Sequence, residues 1–395
     1  MRLLFVCDGR SPIAMNWISY FIEKGDEVHI ASTFDFHPEM NFASIKSVPV
    51  AFSQLKRGQN KNESGGQKKG LLWNSGLVSF RTAARRIVAP LTVSSASERL
   101  ANIIAEINPD LVHAMRIPFE GIIAAKALES IQHPPLIISV WGNDFTLHAR
   151  ATRWMNKSSK QVLSRTTGLH TDCQRDRRLA IEWGYTSDRP TLVVPGNGGI
   201  DTEVFFPATG ESEGSEMKVI NPRGIRAYIR NDTFFKAIPK ILAKNPEVKF
   251  VCPGMAGEAE AENWIDKLDL SFAVELLPII PRHDLAVLFR ESAVTVSPST
   301  HDGTPNTLLE AMACGSYPVA GDLTSIREWI EPGENGSLID PDDPDHLARE
   351  VLSVLRDETL RMKAAELNHA LVNEKAEYYS SMHKAEEFYQ TVIRQ

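Results

Sequence analysis

The chain has 395 residues, of which 43% are hydrophobic and 24% charged, and its formal net charge is −7. This length predicts two domains, and the composition is typical of a folded globular protein and excludes a disordered one. The acidic balance argues against a nucleic-acid partner, because such proteins carry a basic surface.

The N-terminus and the cysteines indicate a cytoplasmic protein. The run "MRLLFVCDGR" has too short an apolar stretch for a signal peptide, and no apolar segment reaches the roughly 18 residues of a membrane span. The four cysteines form no CxxC pair, which argues against a zinc site and a disulfide framework. We therefore expect a reducing cytoplasm, with any membrane contact peripheral and on the inner face.

Strand-like and helix-like stretches alternate from the first residues onward. "RLLFVC" is an apolar run of strand length, and "DEVHIAS" is the next strand. Between them "IAMNWISYFIEKG" predicts a helix that Ser11 caps, with Pro12 in its first turn. This order is a βαβ unit, which requires a parallel sheet. Further strand-like runs follow in "DLVHAM", "PLIISVW", "GLHTD" and "TLVVPG".

Ser53–Thr92 differs in composition from the rest of the chain. It holds eight lysines and arginines and a single acid, Glu63. Part of it, "GLLWNSGLVSFRTAARRIVAPL", mixes large apolar residues with arginines, which suits an anionic membrane surface. A solvated basic loop explains the same composition equally well, so both interpretations stay open.

A polar stretch rich in Gly and Ser, "ATGESEGSEM", predicts a linker, after which the alternation starts again. Strand-like runs such as "MKVIN", "VKFVCPG" and "AVTVSPS" alternate with helix-like runs such as "NDTFFKAIPKILAKN" and "HLAREVLSVLRD". The predicted fold class is α/β, with two Rossmann-like domains that face each other across a cleft. We place the domains at residues 1–207 and 208–375, followed by a helix at 376–395 that packs back toward the first domain.

The stretch "STHDGTPNTLLEAMACG" carries the most specific chemistry. It follows a buried strand as a loop and a helix, so the amides of Asn306 and Thr307 lack helical acceptors and can bind an anion. Gly303 lets the backbone approach a ligand, Glu310 lies one turn into the helix, and Asp302 lies beyond the amides. A ribose, a diphosphate and a further polar group fit this order, as in a nucleotide sugar. The alternative is an acid that matches the helix dipole, plus an exposed glutamate.

The passage Val251–Arg356, which includes "VCPG" and "LLPIIPRHDLAVLFRESAVTVSPSTHDGTPNTLLEAMACG", resembles glycosyltransferase family 4. The members of that family are retaining enzymes of the GT-B fold. Their hallmark is two glutamates separated by seven residues and followed by Ala-Met-Ala. Here the pair is Asp302 and Glu310, and "EAMACG" keeps the Ala-Met-Ala. The resemblance covers essentially the whole chain but is loose in the N-terminal half.

The resemblance implies donor-binding roles for the C-terminal domain. Glu310 would hold the donor ribose, Asp302 would stand where a glutamate contacts the donor hexose, and backbone near Ile280 would read the base. Asp302 is one methylene shorter than glutamate, which leaves the sugar preference open. The diphosphate would be held by the loop and helix start formed by Gly303, Thr304, Pro305, Asn306 and Thr307.

The family also has an arginine and a lysine after the first strand of the second domain, where they neutralise the diphosphate. Here "NPRGIRAYIRND" offers Arg223, Arg226 and Arg230, and Arg230 would take the place of the lysine. Its partner is Arg223 or Arg226, and the sequence does not decide between them. The alternative is a set of surface arginines at an ordinary βα turn.

In the N-terminal half, the resemblance implies an acceptor-binding domain. Gly9 falls in the family's glycine-containing first loop. His113 ends a strand and would face the cleft, although a histidine at a strand end is more often packed or exposed than catalytic. "SVWGNDF" resembles a His-Gly-x-Asp motif in which Trp141 replaces the histidine and Asp144 remains. The candidate catalytic residues are therefore Asp302, Arg230, His113 and Asp144.

The run "DPDDPD" could be mistaken for a metal site. Asp343 before Pro344 is instead a favourable helix cap, and Asp345 matches the helix dipole. Enzymes of the GT-B fold generally need no metal for donor binding, so we expect neither a metal nor a cofactor. A Rossmann dehydrogenase is excluded because "DGRSPIAMN" lacks the GxGxxG spacing.

The implied function is the retaining transfer of a hexose from a nucleotide-diphosphate sugar, with uridine the commonest base in the family, to an acceptor hydroxyl. The basic segment favours a lipid-linked acceptor at a membrane surface. Three alternatives stay open. They are a transferase with a soluble acceptor such as a glycan, a nucleotide-sugar epimerase of the same fold, and a binding protein without activity, which Asp302 and Trp141 would permit.

Overall fold

The computed structural model describes residues 1–37, 39–50, 92–129, 134–208 and 217–395. The described chain forms two compact units. The first comprises Met1–Asp172, Asp176–Gly198 and Met382–Gln395, and the second comprises Cys173–Arg175 and Gly199–Ser381. Residues 199–207 thus lie with the second unit, whereas the sequence predicts them in the first. The cause is backbone pairing, because Ile200 exchanges hydrogen bonds with Ala376 and Tyr378 at 2.7 and 2.9 Å.

The first unit contains, among its described residues, a seven-stranded sheet in which all neighbours are parallel. The strand order is β3-β2-β1-β4-β5-β6-β7. The strands are β1 (Arg2–Cys7), β2 (Glu27–Ser32), β3 (Ser44–Ser47), β4 (Leu111–Ala114), β5 (Leu136–Val140), β6 (Gly168–Thr171) and β7 (Thr191–Val193). Residues Leu3–Cys7 of β1 are buried, as expected for a parallel strand that helices cover on both faces.

The helices of the first half of the chain connect these strands. They are α1 (Pro12–Glu23), α2 (residues 92–107), α3 (Ile122–Ala127), α4 (Arg153–Arg165) and α5 (Gln174–Glu182). The predicted start of α1 is confirmed, since the Ser11 hydroxyl accepts a hydrogen bond from the Ala14 amide at 3.3 Å and Pro12 is the first helical residue. The first two residues of α5 lie with the second unit.

The second unit contains, within the described stretches, a six-stranded parallel sheet with the order β10-β9-β8-β11-β12-β13. The strands are β8 (Lys218–Ile220), β9 (Lys249–Pro253), β10 (Val274–Leu277), β11 (Val294–Ser297), β12 (Tyr317–Gly321) and β13 (Ser337–Ile339). Its core includes Phe234, Phe250 and Val296, which the sheet and its flanking helices bury.

The remaining helices are α6 (Asn231–Leu242), α7 (Ala259–Leu268), α8 (Arg282–Glu291), α9 (Asn306–Ala313), α10 (Pro344–Arg356), α11 (Glu358–Ala376) and α12 (Tyr378–Ile393). The predicted cap of α10 is confirmed, because the Asp343 carboxylate accepts hydrogen bonds from the amides of Asp345 and His346 at 2.8 and 3.0 Å. Gly315 follows α9 with φ +88°, a conformation that glycine adopts without steric cost.

Helix α12 supplies the last part of the first unit, which resumes at Met382. Its Tyr389 is fully buried, and the tyrosine ring stacks on Phe21 with centroids 4.6 Å apart. The indole Nε1 of Trp17 donates a hydrogen bond to the Tyr389 hydroxyl at 2.9 Å. An aromatic cluster thus holds this helix to the helices and strands that begin the chain.

Each sheet has a topological switch point at its first strand. In the first unit β1 lies between β2 and β4, and in the second unit β8 lies between β9 and β11. Connections leave such a strand toward opposite sides, which opens a crevice beyond the carboxyl ends of the strands. The loops after β8 and β11 are therefore where a ligand of the second unit is expected.

In the described part of the chain, no helix has the length and apolar character that crossing a bilayer would require. Residues 53–91 of the basic segment that is predicted to contact a membrane are not among the described residues. The same holds for positions 209–216 of the predicted linker.

Candidate functional site

The loops after β8 and β11 are fastened together at the switch point of the second unit. Ile229 and Ser299 form an antiparallel bridge. The Thr300 amide donates to the Tyr228 carbonyl at 2.9 Å, and the Arg230 amide donates to the Pro298 carbonyl at the same distance. These bonds fix the backbone that carries the predicted arginines against the backbone that leads to Asp302.

Helix α9 begins directly beyond this junction with unpaired donors. Pro305 occupies the cap position with an extended backbone and no capping side chain, and the first turn closes with the amides of Leu308 and Leu309, which donate to the Pro305 carbonyl at 3.0 and 3.2 Å. The amides of Asn306 and Thr307 precede that turn, so they keep the donor capacity predicted for an anion site.

Arg223 is the arginine that the structure brings to α9. Its side chain is only 6% exposed. One guanidinium nitrogen donates to the Thr307 hydroxyl at 2.9 Å and the other pairs with the Asp302 carboxylate, which also accepts a hydrogen bond from the Ser299 hydroxyl at 3.1 Å. The Nε of Arg223 is buried and has no hydrogen-bond partner among the described residues. Arg226 instead donates to the Tyr228 hydroxyl at the surface.

Arg230 lies in a different ion cluster from the one predicted. Its guanidinium forms a bidentate pair with Asp232 at 2.9 and 3.1 Å and also pairs with Asp342. The Asp232 carboxylate raises the pKa of Arg230, and the Arg230 guanidinium in turn holds the pKa of Asp232 well below its usual range. The sequence placed Arg230 at the diphosphate, but an acid two positions later, at the start of α6, engages the guanidinium.

Glu310 is a buried carboxyl group on α9, 7% exposed. Burial raises its pKa from 4.5 to about 7, although the charges of Arg282 and Arg223 act in the opposite direction. The nearest Arg282 nitrogen is 3.7 Å from the carboxylate. Arg282 is the ion-pair partner of this carboxylate among the described residues, so the ionised form keeps oxygens that can accept hydrogen bonds from a ligand.

The remaining donor-binding residues lie in two loops. Thr304 accepts a hydrogen bond from the Trp329 indole at 3.2 Å, and Gly303 and Pro305 flank it in the buried loop that leads into α9. Ile280 lies in the separate loop after β10, half-buried, next to the 90% exposed Ile279. The structure therefore groups the diphosphate and ribose candidates closely and places the base candidate beyond β10, an edge strand that β9 separates from β8.

The first unit places Gly9 in the loop after β1, at its own switch point. The Gly9 amide donates to the Ser32 hydroxyl at 3.1 Å. A Cβ atom at this position would lie 2.3 Å from the Phe36 ring, so a larger residue would force the loop open. This close packing is the reason that glycine is required here.

His113 does not face an open site, so that prediction is wrong. The side chain is 1% exposed on β4, because helices cover this sheet face and Trp17 packs edge-on against the imidazole. The imidazole Nδ1 bonds the Tyr389 hydroxyl at 2.5 Å, and Nε2 bonds the Ser139 hydroxyl at 2.8 Å. A histidine with both ring nitrogens engaged in a core cannot exchange protons with a substrate.

The hydrogen bonds around His113 form a chain with a determined direction. The Val194 carbonyl only accepts, so Nε2 of His170 donates to it at 3.0 Å and Nδ1 accepts from Ser139 at 2.7 Å. The Ser139 oxygen then accepts from His113, whose Nδ1 accepts from Tyr389. Both imidazoles are neutral, and burial lowers both pKa values, that of His170 to about 4.

Asp144 is fully buried, and both of its carboxylate oxygens accept hydrogen bonds from the protein. Its carboxylate accepts hydrogen bonds from Arg116 at 3.1 and 2.5 Å and from the Trp141 amide at 3.0 Å. It therefore fixes the turn after β5 and the Arg116 guanidinium. Trp141, which replaces the family's histidine, lies within 3.2 Å of a Cβ built on Gly196, and its Nε1 has no partner among the described residues.

Several residues that hold the site were not predicted. The Ser299 side chain joins the Arg223–Asp302 pair, and Arg175 and Ser325 bond the main chain of Asp302. Ser299 is three positions from Asp302, so the sequence alone could have suggested this short-range polar contact. Arg175 is 127 positions away, and no local pattern marks it.

Two family profiles match the chain. The profile described as "Glycosyl transferases group 1" matches residues 212–370, which contain the α9 site. The profile described as "Glycosyl transferase 4-like" matches residues 67–172. The two matches fall in the two halves that the sequence predicts as separate Rossmann-like domains.

Curated relatives carry related names. A D-inositol 3-phosphate glycosyltransferase of Thermobifida fusca (strain YX) is 29% identical over 213 residues, which cover 49% of this chain and 48% of that protein. The UDP-Gal:alpha-D-GlcNAc-diphosphoundecaprenol alpha-1,3-galactosyltransferase of Escherichia coli is 23% identical over 283 residues, 67% of this chain and 71% of that protein. The chain spans about half the length of the inositol-phosphate relatives that it matches.

Solved structures share the fold over the full chain. Sucrose-phosphate synthase from Thermosynechococcus elongatus has a TM-score of 0.74 at 14% identity and covers 100% of both chains. HepE from Anabaena, solved in complex with UDP, has a TM-score of 0.72 at 16% identity and covers 99% of this chain and 100% of that chain. At such identities the likeness shows the fold alone, and the predicted GT-B fold is confirmed.

Proposed function

Since the chain belongs to glycosyltransferase family 4, we propose that it transfers a hexose from a UDP-sugar to an acceptor hydroxyl with retention of the anomeric configuration. The observation that carries this proposal is the meeting of Arg223 with the start of α9. The guanidinium is buried, bonds Thr307 and keeps Nε unpaired, directly beside two amides that precede the first helical bond. A diphosphate supplies the acceptors that these donors lack.

The two acids then bracket the diphosphate. Glu310 lies one turn into α9, where its carboxylate accepts hydrogen bonds from the ribose hydroxyls. Asp302 stands at the other side of the amides, where the hexose follows the β-phosphate. Its carboxylate pairs with Arg223, so the diphosphate and the hexose hydroxyls compete with this ion pair for the two side chains.

The chemical step breaks the bond between the anomeric carbon and the β-phosphate oxygen, and the electron pair stays on that oxygen. Arg223 and the amides of Asn306 and Thr307 stabilise the charge without reorganising, so this proposal assigns no role to a metal ion. The acceptor oxygen forms the new bond on the same face of the sugar, and its proton passes to the departing phosphate. This proposal assigns no role in the step to His113 and Asp144, which are buried and bonded to other protein groups, or to Arg230, which pairs with Asp232.

Uridine is supported by a structural relative. HepE has been solved with UDP and, in another structure, with UDP-glucose. A thermal-shift screen with UDP, GDP and ADP tests the base, since a ligand that binds only the folded state raises the melting temperature. UDP should give the largest shift. A larger shift with GDP or ADP would overturn the choice of base, and no shift with any of them would overturn the function.

A lipid-linked acceptor is the second part of the proposal. The E. coli relative acts, by its name, on a diphosphoundecaprenol substrate, and the Ser53–Thr92 sequence is basic and partly apolar. Vesicles with anionic lipid should co-float the protein, and replacing Lys68, Lys69, Arg85 and Arg86 by Gln should abolish this. Absence of flotation in the wild type would favour a soluble acceptor, and flotation that is unchanged by these substitutions would contradict the membrane role of the basic segment. We also propose that this contact lies on the inner face of the membrane, which protease protection of the protein in intact cells would test.

The fate of a labelled donor sugar distinguishes glycosyl transfer from epimerisation and from binding without reaction. Incubation of the protein with UDP-[14C]glucose and candidate acceptors should place label in a new glycoside whose anomeric proton coupling matches that of the donor. Label recovered in an isomeric UDP-sugar would indicate an epimerase. Label that stays in the donor with every acceptor, despite measurable UDP-glucose affinity, would indicate a binding protein.

A further inference from the structure

We infer that Arg175 is a positioning residue for Asp302 and acts on the main chain of the donor loop. This inference rests on the proposed function of the α9 site. Arg175 is the second residue of α5 and lies with the second unit. One of its guanidinium nitrogens donates to the Asp302 carbonyl at 2.5 Å and lies 3.0 Å from the Ser325 hydroxyl.

The Arg175 side chain is held in this orientation by a second contact. The amides of Gln174 and Arg175 donate to the two carboxylate oxygens of Glu328 at 2.7 and 2.8 Å. Glu328 ends the short helical turn that begins just after Ser325. The segment from Ser325 to Glu328 therefore binds the guanidinium of Arg175 at its first residue and the backbone amide of Arg175 at its last. These two contacts limit the conformations of the arginine side chain.

Asp302 is thus fixed at both ends. Its carboxylate is held by Arg223 and Ser299, and its carbonyl receives Arg175 together with the Ser325 hydroxyl at 2.8 Å. In a planar trans peptide the carbonyl and the following N–H point in opposite directions. Fixing the Asp302 carbonyl therefore also fixes the direction of the Gly303 amide, in the loop that leads to the start of α9.

The two ends of the donor depend on this anchor unequally. The UDP part is met by Arg223, the α9 amides and Glu310, which Arg175 does not contact. The hexose part is met by Asp302, whose orientation Arg175 sets. Loss of Arg175 should therefore change the recognition of the sugar more than that of the nucleotide. Ser325 still donates to the carbonyl in such a variant, so the loop keeps a partner and the unit should fold.

Isothermal calorimetry with UDP and with UDP-glucose tests this directly. In Arg175→Ala the Kd for UDP should change less than about twofold, while the ratio of the two Kd values should shift about tenfold, the effect of one charge-assisted hydrogen bond. Arg175→Lys should recover part of the ratio. The control is Arg177→Ala, an exposed arginine on the same helix that should leave both values unchanged. Equal losses for UDP and UDP-glucose would overturn the inference.

A second measurement needs no nucleotide. The indole Nε1 of Trp329 donates to Thr304 in the same loop, so its 15N–1H resonance reports the position of that loop. In 15N-tryptophan-labelled protein, Arg175→Ala should shift this resonance and Arg177→Ala should not. An unshifted resonance in Arg175→Ala would overturn the positioning role. A wild type that binds neither UDP nor UDP-glucose would overturn the proposed function, while the resonance would still test the positioning of the loop.

Discussion

Replacing Glu310 by glutamine should stabilise the ligand-free second unit at alkaline pH. Burial raises the pKa of Glu310 from 4.5 to about 7, so the folded state favours the neutral carboxyl. The stability that this group contributes is present below pH 4.5 and is lost as the pH rises through 7. The difference between the two pKa values corresponds to about 3 kcal/mol once the carboxyl is ionised. Glutamine does not ionise and avoids that cost.

The same substitution should weaken donor binding, because the ribose hydroxyls donate to the charged carboxylate. At about pH 8, Glu310→Gln should lose about 1–3 kcal/mol of UDP-glucose affinity. In the wild type, binding below the pKa must displace a proton, so affinity should fall about tenfold from about pH 8 to about pH 6. The variant should show no such dependence. UDP-glucose is a better probe than UDP for this measurement, because its diphosphate has no terminal phosphate group that titrates in this pH range.

Calorimetry in two buffers of different ionisation enthalpy measures the affinity and the protons released together, and urea unfolding measures the stability. Glu366→Gln is the matched control, since it removes an exposed carboxylate from α11 in the same unit. A wild-type affinity that is the same at both pH values would refute the reasoning about protonation. A variant that binds as tightly as the wild type at alkaline pH would refute the ribose role of Glu310.

Other expectations follow from the buried contacts. Arg223→Ala should weaken UDP binding by about 2–3 kcal/mol, because it removes the buried guanidinium beside Thr307. Arg226→Ala removes an exposed cation and should change UDP binding by less than about 0.5 kcal/mol. Equal losses in the two variants, measured by calorimetry, would contradict the assignment of Arg223 to the diphosphate. Tyr389→Phe should destabilise the first unit by about 1–3 kcal/mol because His113 Nδ1 loses its buried donor, and amide hydrogen exchange should show faster opening in that unit rather than in the second. Burial holds the pKa of His170 at about 4, below its ordinary 6.5, so the first unit should lose about 3 kcal/mol of stability as the pH falls from 6.5 toward 4. An opening free energy that stays constant over this interval, measured by amide exchange and corrected for the intrinsic exchange rate, would contradict the neutral chain.

Features that depend on near neighbours in the sequence were readable. Buried strands such as β1 and β11 show as apolar runs because helices cover a parallel sheet on both faces. The caps at Ser11 and Asp343 were predicted because the amides they receive lie only two or three positions away. The start of α9 was readable in the same way, since a loop and Pro305 define it locally.

Features that depend on distant partners were not readable. Arg223 and Arg226 occupy the same loop, and only the meeting of Arg223 with Asp302, 79 positions later, separates them. His113 looked like a strand-end group, but its hydroxyl partner Tyr389 is 276 positions away. The partner of Arg230 was readable but not weighed, because the acid that pairs with its guanidinium, Asp232, lies only two positions later.

The first unit is built from stretches that flank the second, since Met382–Gln395 packs with Met1–Asp172. During synthesis this last stretch leaves the ribosome only after all of the second unit has been made. The apolar pocket formed by Trp17 and Phe21 must therefore wait for Tyr389 while later-translated segments already fold. A nascent chain arrested before position 382 would keep this surface open to water, and chaperone occupancy should be greatest in that interval.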